Sequence, residues 1–244
     1  MTLSIPKVIG HRGAMARAPE NTLAGFRKAR ELGATMIEFD AKLSRDGVPV
    51  LIHDETVDRT TDGSGAVREM DLDALRALDA GGWFGPDFAG ERIPMLEEGL
   101  RLALDIGLAV NIEIKPCPGR EVETARIVLE TARALWPADR PAPLVSSFAL
   151  ASLEQSTLSA PDWPRGYLIW DRPDDWRENV RRLTPATLNV GHERETPESL
   201  ADYIDTGLPV LTYTVNDPAR ARVLLGLGIA GIITDVPDLI LPVV

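Results

Sequence analysis

Three carboxylates, two histidines and two cations stand out in this 244-residue chain, because their spacing can carry them to one place. Glu38 and Asp40 lie two residues apart in the apolar run MIEFDA at 36–41. On a β-strand, residues i and i+2 share a face, so both carboxylates point one way while Ile37 and Phe39 point the other way, into packing. Asp46-Gly47 is a hairpin signal, since this pair accepts the positive φ of a tight turn. VPVLIH then returns as a short strand and delivers His53 at its end. Further on, Asn111, Glu113 and Lys115 alternate with Ile112 and Ile114, which gives that strand a polar face and an apolar one. If the polar face points into a barrel, Glu113 needs a partner. It can join Lys115 and Arg12 in an ion-pair network, or it can join Glu38 and Asp40 around one cation. Three carboxylates without a neighbouring cysteine make a hard oxygen site, suited to Mg²⁺ or Ca²⁺ rather than Zn²⁺.

His11 and His53 each end a predicted strand. A histidine gives or takes a proton near neutral pH, and a pair can serve one reaction. One deprotonates the nucleophile and the other protonates the leaving group. Arg12 and Lys115 beside the carboxylates suit a phosphate group whose charge grows in the transition state, and they also suit plain charge balance. His192 ends a strand too, but lacks such neighbours and reads as a structural or rim residue. Trp83, Phe84 and Tyr213 read most simply as core or rim packing.

The elements that must position these groups follow a repeating order. Eight strands are predicted: VIGH, MIEFDA, LAVNIEIK, PLVSSF, GYLIW, TLNVGH, PVLTYTV and GIITD. Helical patterns lie between them, with Asn21 as a predicted N-cap of the first and Thr196-Pro197 and Asp217-Pro218 opening later ones. Alternating strand–helix units imply a parallel sheet, and eight of them suit a closed barrel better than an open doubly wound sheet. The hairpin return to His53 is extra to that count. Residues 55–93, rich in Gly and Asp, break the rhythm and read as an insertion with a small helix near Leu72–Leu78. Active sites of such barrels lie at the C-terminal ends of the strands, where His11, Asp40, Lys115, Ser147, His192, Asn216 and Asp235 all fall.

Composition bounds the partners. A chain that is 44% hydrophobic and 26% charged is ordinary globular material, and a barrel of this length is one domain, 1–244. The formal net charge of −11 argues against nucleic acid and against stable membrane-surface association. MTLSIPKVIGHRG has no apolar signal-peptide core, and the lone Cys117 has no partner for a disulfide, so a cytoplasmic location is expected. The number of copies is left open.

The motifs HRG (11–13), APENT (18–22), EFD (38–40), SRDG (44–47), HD (53–54) and RTT (59–61) occur in order. NIEIK (111–115), SSF (146–148), YTVN (213–216) and GIITD (231–235) complete the set. With them the chain resembles the glycerophosphodiester phosphodiesterases from end to end. DAGGWF, PRGYLIW and DDWRE are most similar to the bacterial cytoplasmic branch associated with glycerol 3-phosphate uptake. The resemblance implies a TIM (β/α)8 barrel with a small insertion. It implies a divalent cation, Mg²⁺ or Ca²⁺, on Glu38, Asp40 and Glu113. His11 and His53 would be the acid–base pair, with Arg12 and Lys115 on the phosphate and Glu20 and Tyr213 in support. The implied reaction is hydrolysis of a small glycerophosphodiester to sn-glycerol 3-phosphate and an alcohol. Tyr213 stands where the wider family more often has Trp, which touches only the shape of the glycerol pocket. The alternatives are a related barrel phosphodiesterase for lysolipid or sphingolipid headgroups, and a non-catalytic glycerol-phosphate-binding protein.

Overall fold

The computed structural model describes residues 4–244; the first three residues of the N-terminal stretch read above lie outside the described residues. Eight strands close into a parallel barrel in the order β1 (Val8–Gly10), β2 (Met36–Leu43), β4 (Ala109–Ile114), β5 (Leu144–Ser147), β6 (Arg165–Ile169), β7 (Thr187–Gly191), β8 (Val210–Tyr213) and β9 (Gly231–Thr234). The ring closes where β9 returns to β1 through Val8↔Ile232, Ile9↔Ile233 and Gly10↔Thr234. The remaining strand, β3 (Pro49–Leu51), is the predicted hairpin return and pairs antiparallel with the end of β2. Its turn holds Gly47 at φ +83°, the conformation for which a glycine is needed.

Helices α1 (Leu23–Glu31), α3 (Leu96–Asp105), α4 (Glu121–Leu135), α5 (Leu150–Ser159), α6 (Trp176–Leu183), α7 (Pro197–Ile204), α8 (Pro218–Gly226) and α9 (Pro237–Ile240) alternate with the barrel strands, and α2 (Leu72–Ala77) belongs to the insertion. The helices cover the outward faces of the strands. Ile37, Phe39, Ile112 and Ile114 are fully buried against Phe26, Leu96, Leu100 and Val128. Leu188, Val190, Leu200, Tyr203 and Leu224 do the same for the second half of the ring. Inside the barrel, one apolar layer of Ile9, Met36, Leu144, Leu211 and Ile233 plugs the floor. Strand alternation then makes Glu38, Asp40 and Glu113 the next inward positions above that plug.

Residues 55–93 form the expected insertion. Val57, Val67, Leu75 and Ile93 bury against Val50 and Ile52 as a small separate core. Asp79 accepts the backbone N–H groups of Gly81, Gly82 and Gly90 at 2.8 Å each and so shapes the DAGGWFG loop.

One predicted cap is corrected. The N-cap of α1 is Thr22, whose hydroxyl accepts from Gly25 N at 3.1 Å, not Asn21. Asn21 instead adopts φ +56° and turns its amide to Asp40. A buried carboxylate needs that amide more than the helix end does, because a neighbouring threonine can cap equally well.

Phe39 sits between the two carboxylates of β2, faces outward and stacks on Phe26 with ring centroids 5.2 Å apart. Replacing Phe39 with Ala should cost about 3–5 kcal/mol through lost transfer energy and an unfilled cavity. Urea denaturation of the two proteins checks this.

Candidate active site

The loop after β1 begins with an unusual backbone. Arg12 has φ +48° and Gly13 φ +90°. A Cβ on Gly13 would lie 2.7 Å from the carbonyl carbon of Gly25, so helix α1 excludes any side chain there. This tight return lets Arg12 N donate to Glu38 Oε2 at 3.1 Å and brings the Arg12 guanidinium over β2. Its Nη1 donates to Glu20 Oε1 at 2.8 Å, and its Nε lies 3.2 Å from Asp40 Oδ2.

Glu38, Asp40 and Glu113 meet as the strand alternation predicts. Register pairs Asp40 directly with Glu113 across β2 and β4. Each of the three residues offers an oxygen within 4.8 Å of the others. Lys115 Nζ donates to Glu113 Oε1 at 2.8 Å and lies 3.5 Å from Asp40 Oδ1. Asp40 Oδ2 also accepts from Asn21 Nδ2 at 2.9 Å, while Asp40 N donates to Asn21 Oδ1. Burial opposes charge on Asp40, but Arg12, Lys115 and Asn21 outweigh it and hold the carboxyl below its usual range. Glu38 makes no ion pair with Arg12 or Lys115, and the attraction of Arg12 offsets its burial only in part. Burial pushes its carboxyl well above the usual range, and Asp40 and Glu113 push it further.

The donor set fits a hard divalent cation. Glu38 Oε1 and Asp40 Oδ1 are both buried without a hydrogen-bond donor. Oxygens around one such ion stand about 2.0–2.6 Å from it, so they lie within about 5 Å of one another. The two sequence alternatives for Glu113 coexist, since its bond to Lys115 leaves the acidic cluster intact. The three carboxylates could hold one divalent cation; nothing in their geometry selects Mg²⁺ over Ca²⁺.

Both histidines reach the same cavity, and each is held in the same way. His11 Nδ1 donates to Asp235 Oδ1 at 2.6 Å, and His53 Nδ1 donates to Asp54 Oδ1 at 2.6 Å. A carboxylate accepts only, so each Nδ1 carries a proton and each Nε2 is left for the cavity. His11 Nε2 lies 3.9 Å from Glu38 Oε2. Burial, helped by Arg12 and Lys115, lowers the proton affinity of His53 despite the pull of Asp40. Asn216 fixes Asp235 from behind, donating to Oδ2 at 2.6 Å and accepting from Asp235 N at 2.9 Å.

These groups form one side of a cavity of about 490 Å³ at the C-terminal rim of the barrel. The other side is apolar: Phe148, Leu168, Trp170 and Tyr213. Tyr213 is therefore more than packing. Its ring lies edge-on to Phe148 and stacks near Trp170, and its hydroxyl donates to Ile169 O at 2.8 Å. Trp83 and Phe84 stay in the insertion, edge to face with each other, as packing residues. His192 remains apart, donating through Nε2 to Thr214 O at 2.9 Å. A cavity of about 520 Å³ opens at the opposite end beside Trp136 and Trp163, but it has neither histidine nor paired carboxylates.

Sequence reasoning gave no role to Asp54, Arg59, Phe148 or Trp170, read Asn21 as a helix cap, and counted Asn216 and Asp235 only among the polar strand ends. Asp54 and Arg59 were visible inside HD and RTT. The His11–Asp235 bond joins residues 224 apart, and no local pattern signals it.

Barrel and rim together define an α/β-barrel hydrolase. The profile of the glycerophosphoryl diester phosphodiesterase family matches residues 11–239. A glycerophosphodiester phosphodiesterase of Caldanaerobacter subterraneus is 37% identical over 245 residues, covering 97% of each chain. A phosphodiesterase of Oleispira antarctica, solved in complex with the product sn-glycerol-3-phosphate, is 36% identical with a TM-score of 0.94, over 98% of this chain and 96% of that one. A glycerophosphodiester phosphodiesterase structure from Agrobacterium tumefaciens is 30% identical with a TM-score of 0.78, over 98% of this chain and all of that one (100%). The chain belongs to the glycerophosphoryl diester phosphodiesterase family, and it is a glycerophosphodiester phosphodiesterase. No helix among the described residues is long and apolar enough to cross a membrane.

Asn21 is the neutral clamp on Asp40. Asn21→Ala leaves Asp40 Oδ2 with only the Arg12 guanidinium, leaves the Asp40 N–H without its side-chain partner and puts a Cβ residue with no amide at φ +56°. A loss of about 1–3 kcal/mol is expected from the lost hydrogen bonds alone. Chemical denaturation measures it, and a loss under about 0.5 kcal/mol would count against the clamp.

Proposed function

We propose that this enzyme hydrolyses glycerophosphodiesters with His11 and His53 as an acid–base pair and with a divalent cation on Glu38, Asp40 and Glu113. The observation that carries the reading is the shared arrangement of the histidines: each commits Nδ1 to its own carboxylate at 2.6 Å and keeps Nε2 for the cavity. Each carboxylate orients its ring and stabilises the imidazolium that forms in turn. One histidine takes the proton from the attacking water as its oxygen bonds to phosphorus. The other gives a proton to the alcohol oxygen as the phosphorus–oxygen bond breaks. Arg12 and Lys115 sit where they offset the charge that grows on the phosphoryl oxygens, and Glu20 holds Arg12 in place. A divalent cation bound to the three carboxylates would add Lewis-acid stabilisation of that charge. In this reading barrel and insertion act as one domain, 1–244, in the cytoplasm, and the substrate is a small molecule such as glycerophosphocholine.

The aromatic wall supports one other substrate. Phe148 and Trp170 are 39% and 40% exposed in the rim, as an acyl chain of a lysolipid would require. Assaying lysophosphatidylcholine beside glycerophosphocholine separates the two. Faster turnover of the small diester supports the first reading, and faster turnover of the lysolipid supports the second.

EDTA should abolish release of glycerol 3-phosphate from glycerophosphocholine, and Mg²⁺ or Ca²⁺ should restore it. Calorimetric titration should find one divalent ion bound by the native protein and none of comparable affinity by Glu113→Ala. Full turnover in excess chelator would rule out the metal assignment.

His11→Ala and His53→Ala should each lower kcat at least about a hundredfold, within the usual range for lost proton transfer. Both should remain folded, since these side chains lie at the mouth of the barrel and not in its plug. Near-normal kcat for either variant removes that residue from the reaction.

A further inference from the structure

Arg59 belongs to the insertion, not to any strand of the barrel, yet it contacts two carboxylates of the site at once. Its Nε donates to Asp54 Oδ2 at 2.7 Å and its Nη2 to Asp54 Oδ1 at 3.1 Å. Its Nη1 donates to Glu20 Oε2 at 2.7 Å and its Nη2 to Glu20 Oε1 at 2.8 Å. Asp54 is the carboxylate that holds His53, and Glu20 is the carboxylate that holds Arg12. The chain of contacts therefore runs His53–Asp54–Arg59–Glu20–Arg12. It joins the end of β3, the insertion and the loop after β1.

Two physical considerations decide what Arg59 does there. Its side chain is 44% exposed, and ion pairs with that much water access add little to stability. Geometry is the stronger effect. A carboxylate bonded through one oxygen to a histidine still rotates about its own axis. Arg59 occupies both oxygens of Asp54 and both oxygens of Glu20, and its planar fork fixes their mutual orientation. A lysine ammonium is a point charge on a flexible stem and cannot span both pairs. The turn carrying Arg59 is itself anchored, because Thr61 Oγ1 donates to Val57 O at 2.7 Å and Thr61 is nearly buried.

We propose that Arg59 is a positioning residue of the reaction: by locking Asp54 to Glu20 it aligns the His53 ring with the phosphate-facing Arg12, so that the insertion completes the active site. The inference rests on the roles proposed above for His53 and Arg12.

The test is steady-state kinetics with glycerophosphocholine at saturating divalent cation, for Arg59→Ala, Arg59→Lys, Asp54→Ala, the double variant Arg59→Ala/Asp54→Ala, and His53→Ala. Arg59→Ala should lower kcat about ten- to a hundredfold, the range found when a partner behind a functional side chain is lost, with KM changed less than about threefold. Arg59→Lys should not recover it, whereas added guanidinium ion should restore part of the kcat of Arg59→Ala. In the Asp54→Ala background, removing Arg59 should cost less than about twofold more, because the two act as one unit. Thermal melts verify folding, and Arg59→Gln serves the same comparison if Arg59→Ala does not fold. Wild-type kcat in Arg59→Ala alongside a crippled His53→Ala overturns this inference and leaves the role of His53 standing. A loss confined to KM, full recovery by Lys, or a loss fully additive with Asp54→Ala overturns it as well. Wild-type activity in His53→Ala would sink the underlying reading, and this one with it.

Discussion

The buried charge of Asp40 is the constraint that the rest of the site depends on. The residue is 1% exposed, inside a barrel, with two other carboxylates as neighbours. Removing an ion from water costs several kcal/mol, and only well-placed partners offset that. Arg12, Lys115 and Asn21 are those partners, and each comes from a different part of the chain. Arg12 reaches Asp40 only because the chain turns left-handed after β1. Asn21 reaches it only because Thr22 takes over the cap of α1. Lys115 reaches it from the end of β4, beside the register partner of Asp40. The motifs HRG, APENT and NIEIK are in this sense three answers to one carboxylate.

Glu38 shows the opposite condition a single turn of strand away. It shares the face of Asp40 but receives only a backbone N–H from Arg12 and the distant Nε2 of His11. Two cations thus serve three buried carboxylates, and the imbalance falls on Glu38. A protonated carboxyl or an additional cation resolves it, and the first would waste a strong oxygen donor that points at two others. This asymmetry also explains why the cluster is stable enough to build. The protein neutralises most of the charge itself and leaves a deficit that a small ion can fill.

The barrel separates support from chemistry along its axis. Ile9, Met36, Leu144, Leu211 and Ile233 close the floor, and the polar groups begin one layer higher. Rigid strands place the carboxylates, while loops place the groups that need a particular orientation. His11 and His53 come from unrelated segments yet each has a carboxylate at the same distance on the same ring nitrogen. The cavity is also split lengthwise, with charge on one wall and Phe148, Leu168, Trp170 and Tyr213 on the other.

Much of this is legible in the sequence. Period-two alternation placed Glu38, Asp40 and Glu113 on inward faces and Ile37, Phe39, Ile112 and Ile114 on outward ones, because a strand allows no other choice. Asp46-Gly47 announced the hairpin through its backbone preference, and the ordered motifs announced the family. The choice of Asn21 as cap failed because local propensity cannot see a buried carboxylate 19 residues away. From its residue pattern alone Tyr213 read as packing, and only the resemblance set it near the site, because its cavity partners, Phe148 and Trp170, lie on other strands or loops. The sequence by itself therefore determined which residues share a face and which elements follow one another, since those depend on backbone geometry within a few residues. Only the tertiary structure decided which carboxylate each cation and each histidine would take. Those pairings depend on how closing the ring brings the ends of β1, β2, β4 and β9 together, and on a loop from the insertion that folds back over them.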